Sequence, residues 1–303
     1  MQQLQVSQPR GLWLVTGAAV IWGTIGVATQ AIYQIDSTTS LFINLARMLI
    51  ATPILLAACW HVVGRRMFRV QRRDLLIMVL TGLFMALSHA SYFAAIRYTG
   101  VSIATLITIC MAPLVVTGIS VLLRFEALTH RMGIALICAL VGAVLLVGLQ
   151  TPESTGNLAL GTLFALIAAV TYASMILCGR FLAADYHPLQ VTAITFGVGT
   201  LVLLVINLVS GIVIVHTAQG WLLVAYLGLV PTALAYWLFQ MGLRSVSATS
   251  ASIVSLLDPL VAALLAWILF GERLAATGLI GAGLLIVGLV LLSTDKKTTK
   301  QAV

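Results

Sequence analysis

Arg47, His89 and Asp258 are ionisable side chains set inside long apolar runs of the sequence, where each could do chemistry. A charge held at the centre of a hydrocarbon layer costs at least roughly 3 kcal/mol on insertion scales, so each needs a reason. Asp258 stands directly before Pro259 and has three options: to stay protonated, to pair with a cation, or to bond groups freed by the proline. Its functional roles would be contact with a substrate ammonium or proton coupling. Arg47 falls near one end of its run and is expected to reach the interface along its own stem. For His89 the plain reading is a neutral imidazole donating to a neighbouring hydroxyl, against substrate contact or proton handling.

Polar and aromatic residues extend this set. Thr232, Tyr236 and Gln240 recur every four residues, which predicts one shared helix face; Ser88, His89 and Tyr92 do much the same, and Thr171, Ser174 and Cys178 give a third. Serine and threonine often bond only the carbonyl a turn earlier, so not every hydroxyl implies a ligand. Among the aromatics, Trp22, Tyr92, Tyr172, Tyr236 and Trp237 could wall a cavity or merely pack. Pro113 and Pro259 are expected to interrupt their helices, freeing the carbonyls of Ile109 and Ser255.

Other chemistries lack their residues. There is no HExxH, no Walker A run, no GxSxG and no pair of carboxylates at catalytic spacing within the apolar runs. Cys59, Cys110, Cys138 and Cys178 fall singly without CxxC spacing, so neither metal nor disulfide is predicted, and no cofactor. A lipid-modifying enzyme built on Ser88 and His89 is the remaining catalytic alternative. Adjacent helix positions point about 100° apart, which places that pair poorly for mutual hydrogen bonding.

The elements that must position these residues are membrane helices. A hydrophobic fraction of 61%, a charged fraction of 8% and a mean hydropathy of +1.12 exclude a soluble domain, whose charged share is roughly 25%. Ten apolar runs are long enough to cross: residues 12–31, 41–62, 75–96, 101–122, 132–149, 158–181, 189–209, 221–242, 248–270 and 275–293. They are continuously apolar, whereas barrel strands alternate. The first run is long and lacks a small-residue cleavage site, so it is expected to stay as a span.

The net charge of +8 does not indicate nucleic acid, because the basic residues sit between spans. Arg65, Arg66, Arg69, Arg72 and Arg73 dominate one set of loops, while the other set holds only Arg97 and Arg273; the asymmetry predicts both termini in the cytoplasm. The arginine cluster is expected to touch anionic lipid.

The chain is also written twice. Pro113 and Pro259, Glu126 and Glu272, and Gly142 and Gly288 share one offset of 146, and AAVIWGT from Ala18 matches AAVTYAS from Ala168 at an offset of 150. A repeated unit of five spans must sit upside down the second time, so residues 1–150 and 151–303 are expected to be inverted repeats of one integrated membrane domain. Asp258 breaks the pattern, because its counterpart is Ala112.

Trp22-Gly23, Arg47, AAIRYTGVSIATL from Ala94 leading to Pro113, the long motif from Gly228 to Pro259 and FGER from Phe270 together resemble the EamA-type, ten-helix transporters of the drug/metabolite transporter superfamily. The resemblance covers the whole chain, and within the family it is strongest to exporters of aromatic amino acids. It implies an all-α membrane protein of two inverted five-helix repeats around a central cavity, bounded by spans 1 to 4 and 6 to 9, with spans 5 and 10 as supports. The expected site is Trp22, Ser88, His89, Tyr92, Tyr172, Ser174, Thr232, Tyr236, Gln240 and Asp258, with Pro113 and Pro259 as helix breaks. The expected partners are a small metabolite, an amino acid before a lipophilic drug, and membrane lipid, with the protein a monomer or weak homodimer in a bacterial inner membrane. Many relatives carry a polar residue soon after the Trp-Gly, where this chain has Thr24, Ile25 and Gly26.

Overall fold

The computed structural model describes residues 8–126, 128–148, 157–211, 214, 217–270 and 275–293. The segment joining the two halves, Glu272, Arg273 and the three C-terminal lysines lie outside the described residues. Among the described residues there is no strand, and ten helices are long and apolar enough to cross a membrane. We number them spans 1 to 10: Pro9–Ile35, Ser40–Phe68, Arg72–Thr99, Ile103–Leu122, His130–Val147, Leu158–Leu182, Pro188–Ser210, Ala218–Gly242, Ala248–Leu269 and Ala276–Ser293. Helix starts are fixed by small side chains that take up orphan backbone donors: Thr39 accepts from Phe42 N, Thr129 from Met132 N, Asn157 from Leu160 N and Ser247 from Ser250 N.

Span 1 packs on spans 8 and 9, and span 6 packs on spans 3 and 4, while span 2 lies on span 7 and span 5 on span 10. Spans 2 and 7 run antiparallel, as do spans 5 and 10. Between spans 2 and 7, Leu41 O accepts from Asn207, the Thr52 and Thr200 hydroxyls meet at 2.7 Å, and Met67 O accepts from Gln190, so numbers rise along one as they fall along the other. In spans 5 and 10 the crossing repeats itself. A Cβ on Gly142 would come to 2.7 Å from Gly281 O, and one on Gly288 to 3.0 Å from Ala135 O. The offset of 146 carries Gly142 to Gly288 and Ala135 to Gly281, so the second contact is the repeat image of the first. Glycine on both sides lets the backbones approach, which is how helices gain packing energy in lipid. Ile137, Leu279 and Ile280 on this outer pair remain exposed, as side chains facing lipid do.

The interruptions are not where the prolines alone placed them. Span 4 belongs to a helix that runs unbroken through Pro113 from Val101 to Leu122, so the break expected there is absent. Span 9 does change at the expected point: its helix stops at Ser255, turns at Leu256 and restarts at Leu257, beside Pro259. Span 8 widens into π-helical turns over Gly228–Leu234, around Pro231, and span 1 is interrupted at Gly23. A proline removes a donor, but one inside a helix can be absorbed by a local adjustment, which is why position alone did not decide.

Acidic groups tie the ends together. Glu126 accepts from Ala248 N at 2.6 Å and Thr249 N at 3.2 Å, capping span 9, and Asp36 accepts from Thr217 N beside span 8. The fold predicts that Gly142→Ala lowers the melting temperature of the detergent-solubilised protein, because its Cβ meets immovable backbone, at a cost of about 1 to 3 kcal/mol. Gly133→Ala has open space around its Cβ and should leave the melting temperature unchanged or raise it.

Candidate functional site

Spans 1, 2, 3, 6, 8 and 9 bring polar groups together deep in the bundle. His89, Tyr92, Tyr172, Tyr236 and Asp258 are each half-buried within the bundle, and Tyr236 lines a pocket. Asp258 is close enough to act electrostatically on Tyr92, Tyr172 and Tyr236 alike. It makes no hydrogen bond or ion pair among the described residues. Tyr92 is held by Thr105 of span 4, hydroxyl to hydroxyl at 2.6 Å, and the Ser255 side chain at the span 9 turn lies near Tyr172 while donating to Ala251 O at 3.0 Å.

The aromatic wall is continuous. Tyr236 lies between Trp22 and Phe196, with ring centroids 4.9 Å away on each side, and Trp22 also packs on Phe239 at 5.1 Å. Trp22 is itself buried and its Nε1 donates to Pro231 O at 3.1 Å, so it supports Tyr236 and the widened turn of span 8 rather than facing open space. Trp237 is separate, its buried Nε1 lacking a partner among the described residues. A pocket beneath Tyr236 and Phe196 continues between spans 3, 6, 7 and 8, past Met85 and Thr195 to Gln240.

Several expected site residues are used for structure. Ser88 donates to Ala168 O at 3.0 Å and fastens span 3 to span 6. Gln240 Nε2 donates to Gly179 O at 2.8 Å and does the same for spans 8 and 6, its side chain also edging the pocket. Thr232 donates to Leu227 O, five residues back, and is consumed by the π-helical turn. Ser174 donates to Val170 O beside an exposed valine, and lies two residues from Tyr172, hence nearly opposite it. The side chains of these four make bonds within the helix bundle, and Gln240 also lines the pocket.

Arg47 overturns its expectation. It is only 5% exposed, and its Nη2 lies 2.9 Å from His89 Nε2 instead of reaching the interface. His89 Nδ1 lies 2.7 Å from Met85 O, and a carbonyl can only accept, so Nδ1 carries the proton. Arginine can only donate, so Nε2 must be bare, and the geometry requires a neutral imidazole. His89 thus donates to a backbone carbonyl, not to a hydroxyl. A signal for this was present: seven residues past Ser40, at 1.5 Å per residue, place Arg47 about 10 Å below the end of its span. Thr105, Phe196 and Ser255 had no such signal, because nothing in their spacing separates them from ordinary packing.

The fold and this polar cavity define a multi-pass membrane transporter. Matches to the EamA-like transporter family cover residues 9–148 and 159–294, one in each half, and the chain belongs to that family. It is similar to an Archaeoglobus fulgidus protein named as an uncharacterized transporter, 31% identical over 90% of this chain and 93% of that one. Bacillus subtilis YwfM, also named as an uncharacterized transporter, is 29% identical over 94% of each chain. A solved crystal structure shares the fold with a TM-score of 0.81 over 95% of this chain and 98% of the other, at 18% identity.

His89 should be what keeps Arg47 in place. His89→Leu removes the acceptor of a buried charge, and a loss of about 1.5 to 3 kcal/mol is expected as a lower melting temperature. His89→Gln, whose carbonyl oxygen can accept from the guanidinium, should recover most of it.

Proposed function

We propose that this transporter is a secondary carrier exporting bulky neutral amino acids across a bacterial inner membrane, with no cofactor and no catalytic step. One observation carries the reading: the half-buried Asp258 carboxyl is within electrostatic reach of Tyr92, Tyr172 and Tyr236 and has no ion pair among the described residues. A carboxyl among aromatic rings suits an ammonium group, through its charge and through the ring faces, and the rings suit a large side chain. The resemblance of the sequence to aromatic amino-acid exporters, YddG among them, points the same way. Nucleotide sugars and sugar phosphates fit less well, since the spans lack a cluster of basic residues to neutralise phosphate.

Residues 1–150 and 151–303 are read as inverted repeats that rock about this cavity, a reading supported by the antiparallel course of spans 2 and 7 and of spans 5 and 10. The arginine-rich loop near residues 64–73 is assigned to the cytoplasm, with both termini and in contact with anionic lipid. Reporter fusions after Gln71 and after Glu153 should report inside and outside respectively; both on one side would refute the inverted arrangement.

Export of lipophilic cations is the second reading, because the same carboxyl and rings would serve a cationic drug. Counterflow in vesicles decides between them. Tryptophan, phenylalanine and other bulky neutral amino acids should exchange ahead of aspartate, lysine and glycine. Tyr236→Ala should weaken the bulky substrates selectively, by about two- to twelvefold for one lost ring contact. Folded Asp258→Asn should lose transport. Accumulation of lipophilic cations without counterflow of any neutral amino acid would replace amino-acid export with the second reading.

A further inference from the structure

Arg47 is a buried cation with no anion bonded to it among the described residues. Among the described residues its one hydrogen-bond partner is the bare Nε2 of neutral His89, and its Nε is buried without any partner. Holding an uncompensated guanidinium away from water is strongly unfavourable, and a neutral imidazole does not offset the charge. A role in packing alone would be served more cheaply by an apolar side chain of similar length. What the arrangement does supply is orientation. The chain from Met85 O through both ring nitrogens of His89 to Nη2 holds one corner of the guanidinium and leaves Nη1 and Nε without a partner among the described residues.

The direction it faces is set by its neighbours. Arg47 comes from span 2, His89 from span 3 and Tyr236 from span 8, and Arg47 is close enough to Tyr236 to act on it electrostatically. Asp258 acts on the same tyrosine from span 9. Both charged residues act on this one aromatic side chain, yet they form no ion pair with each other. Paired, they would cancel; held apart, they mark two ends of a dipole.

We infer that Arg47, oriented by His89, binds the carboxylate of the substrate while Asp258 faces its ammonium, so that the cargo is dipolar. The inference rests on the amino-acid reading above and deepens it by assigning the second pole. A guanidinium presents parallel N–H donors that match a carboxylate, and a single one without basic neighbours suits one negative charge rather than a phosphate. His89 is then a positioning residue, since its ring nitrogens are occupied by Met85 O and by Arg47.

The test is a binding series on purified protein in detergent, by calorimetry, with four probes: phenylalanine, phenylalanine methyl ester, phenethylamine and 3-phenylpropionate. The wild type should bind phenylalanine about ten- to a hundredfold more tightly than the ester or the amine, which lack the anion. In Arg47→Gln phenylalanine should fall to the level of the ester, while binding of the ester itself stays as in wild type. Should Arg47→Gln fail to fold, Arg47→Lys keeps the charge without the paired donors and should lose part of the preference. Equal wild-type affinity for phenylalanine and its ester, or an undiminished preference in Arg47→Gln, would overturn the assignment of Arg47 and leave amino-acid transport standing. Binding of 3-phenylpropionate alone, lost in Arg47→Gln, would keep Arg47 as an anion site and refute the amino-acid reading. Binding of the ester and amine but not the amino acid would refute both and favour the cationic-drug carrier, and no binding of any probe would also refute both.

Discussion

The structure turns on the requirement that backbone polar groups be satisfied without water, because every irregularity in a membrane helix must then be covered by protein. Three irregular points meet here. The Trp22 indole donates to Pro231 O, in the widened turns of span 8, and Gly23 sits at the interruption of span 1. A Cβ on Gly23 would come to 2.9 Å from Asp258 O and 2.5 Å from Val261 Cβ. The Trp-Gly pair is thus one device: the indole donates to a carbonyl of the widened turns in span 8, and the missing side chain admits the turn of span 9. Asp258 and Tyr236, the carboxyl and ring that dominate the cavity, are set by the two helices this pair touches.

Much of this was legible in the sequence, and the rest was not for identifiable reasons. The ten spans follow from runs of apolar residues whose length the bilayer dictates, and the antiparallel crossing of spans 5 and 10 follows from glycines at a fixed offset. The choice among polar residues was harder. Spacing by fours assigns Thr232, Tyr236 and Gln240 to one face of an ideal helix, but π-helical turns over Gly228–Leu234 consume Thr232 and alter the register ahead of Tyr236. Ser174 and Tyr172 are two residues apart, so counting both as site residues asked one helix to face two ways. Arg47 is the larger lesson. Its position near a span end suggested escape to the interface, yet the acceptor that holds it is on another span, and one sequence does not reveal which helices adjoin.

The hydroxyl and amide residues bonded within the bundle also shape the site. Ser88 and Gln240 each give a side-chain donor to a carbonyl of span 6, at Ala168 and Gly179, so spans 3 and 8 are both pinned to the helix that carries Tyr172. A polar bond between membrane helices is worth only about 1 kcal/mol, but the alternative is an unsatisfied group in hydrocarbon. Such bonds fix rotation about the helix axis. A rotation of one residue, about 100°, would carry Tyr172 out of the cavity, so the positions of the rings depend on neighbours that never meet a ligand.

A last asymmetry concerns the two halves. Under the proposed repeat, exchanging the halves carries spans 1, 8 and 9 onto spans 6, 3 and 4, and the packing of span 1 on 8 and 9 has its counterpart in the packing of span 6 on 3 and 4. The shapes differ: spans 1, 8 and 9 are interrupted at Gly23, Gly228–Leu234 and Leu256, whereas spans 3, 4 and 6 are unbroken. Part of the difference is chemical, since Pro231 and Asp258 stand in only one set, and Ala112 replaces the acid in the other. Part is not, because Pro113 and Pro259 are equivalent in sequence and only Pro259 adjoins a break. Under the carrier reading the two sets hold different conformations of the same unit, and exchanging them turns the cavity toward the opposite face. The bound carboxyl of Asp258 would then ride on the bent set, while His89 and Tyr92 belong to the straight one, so a ligand touching both is in contact with the two parts that must move relative to each other.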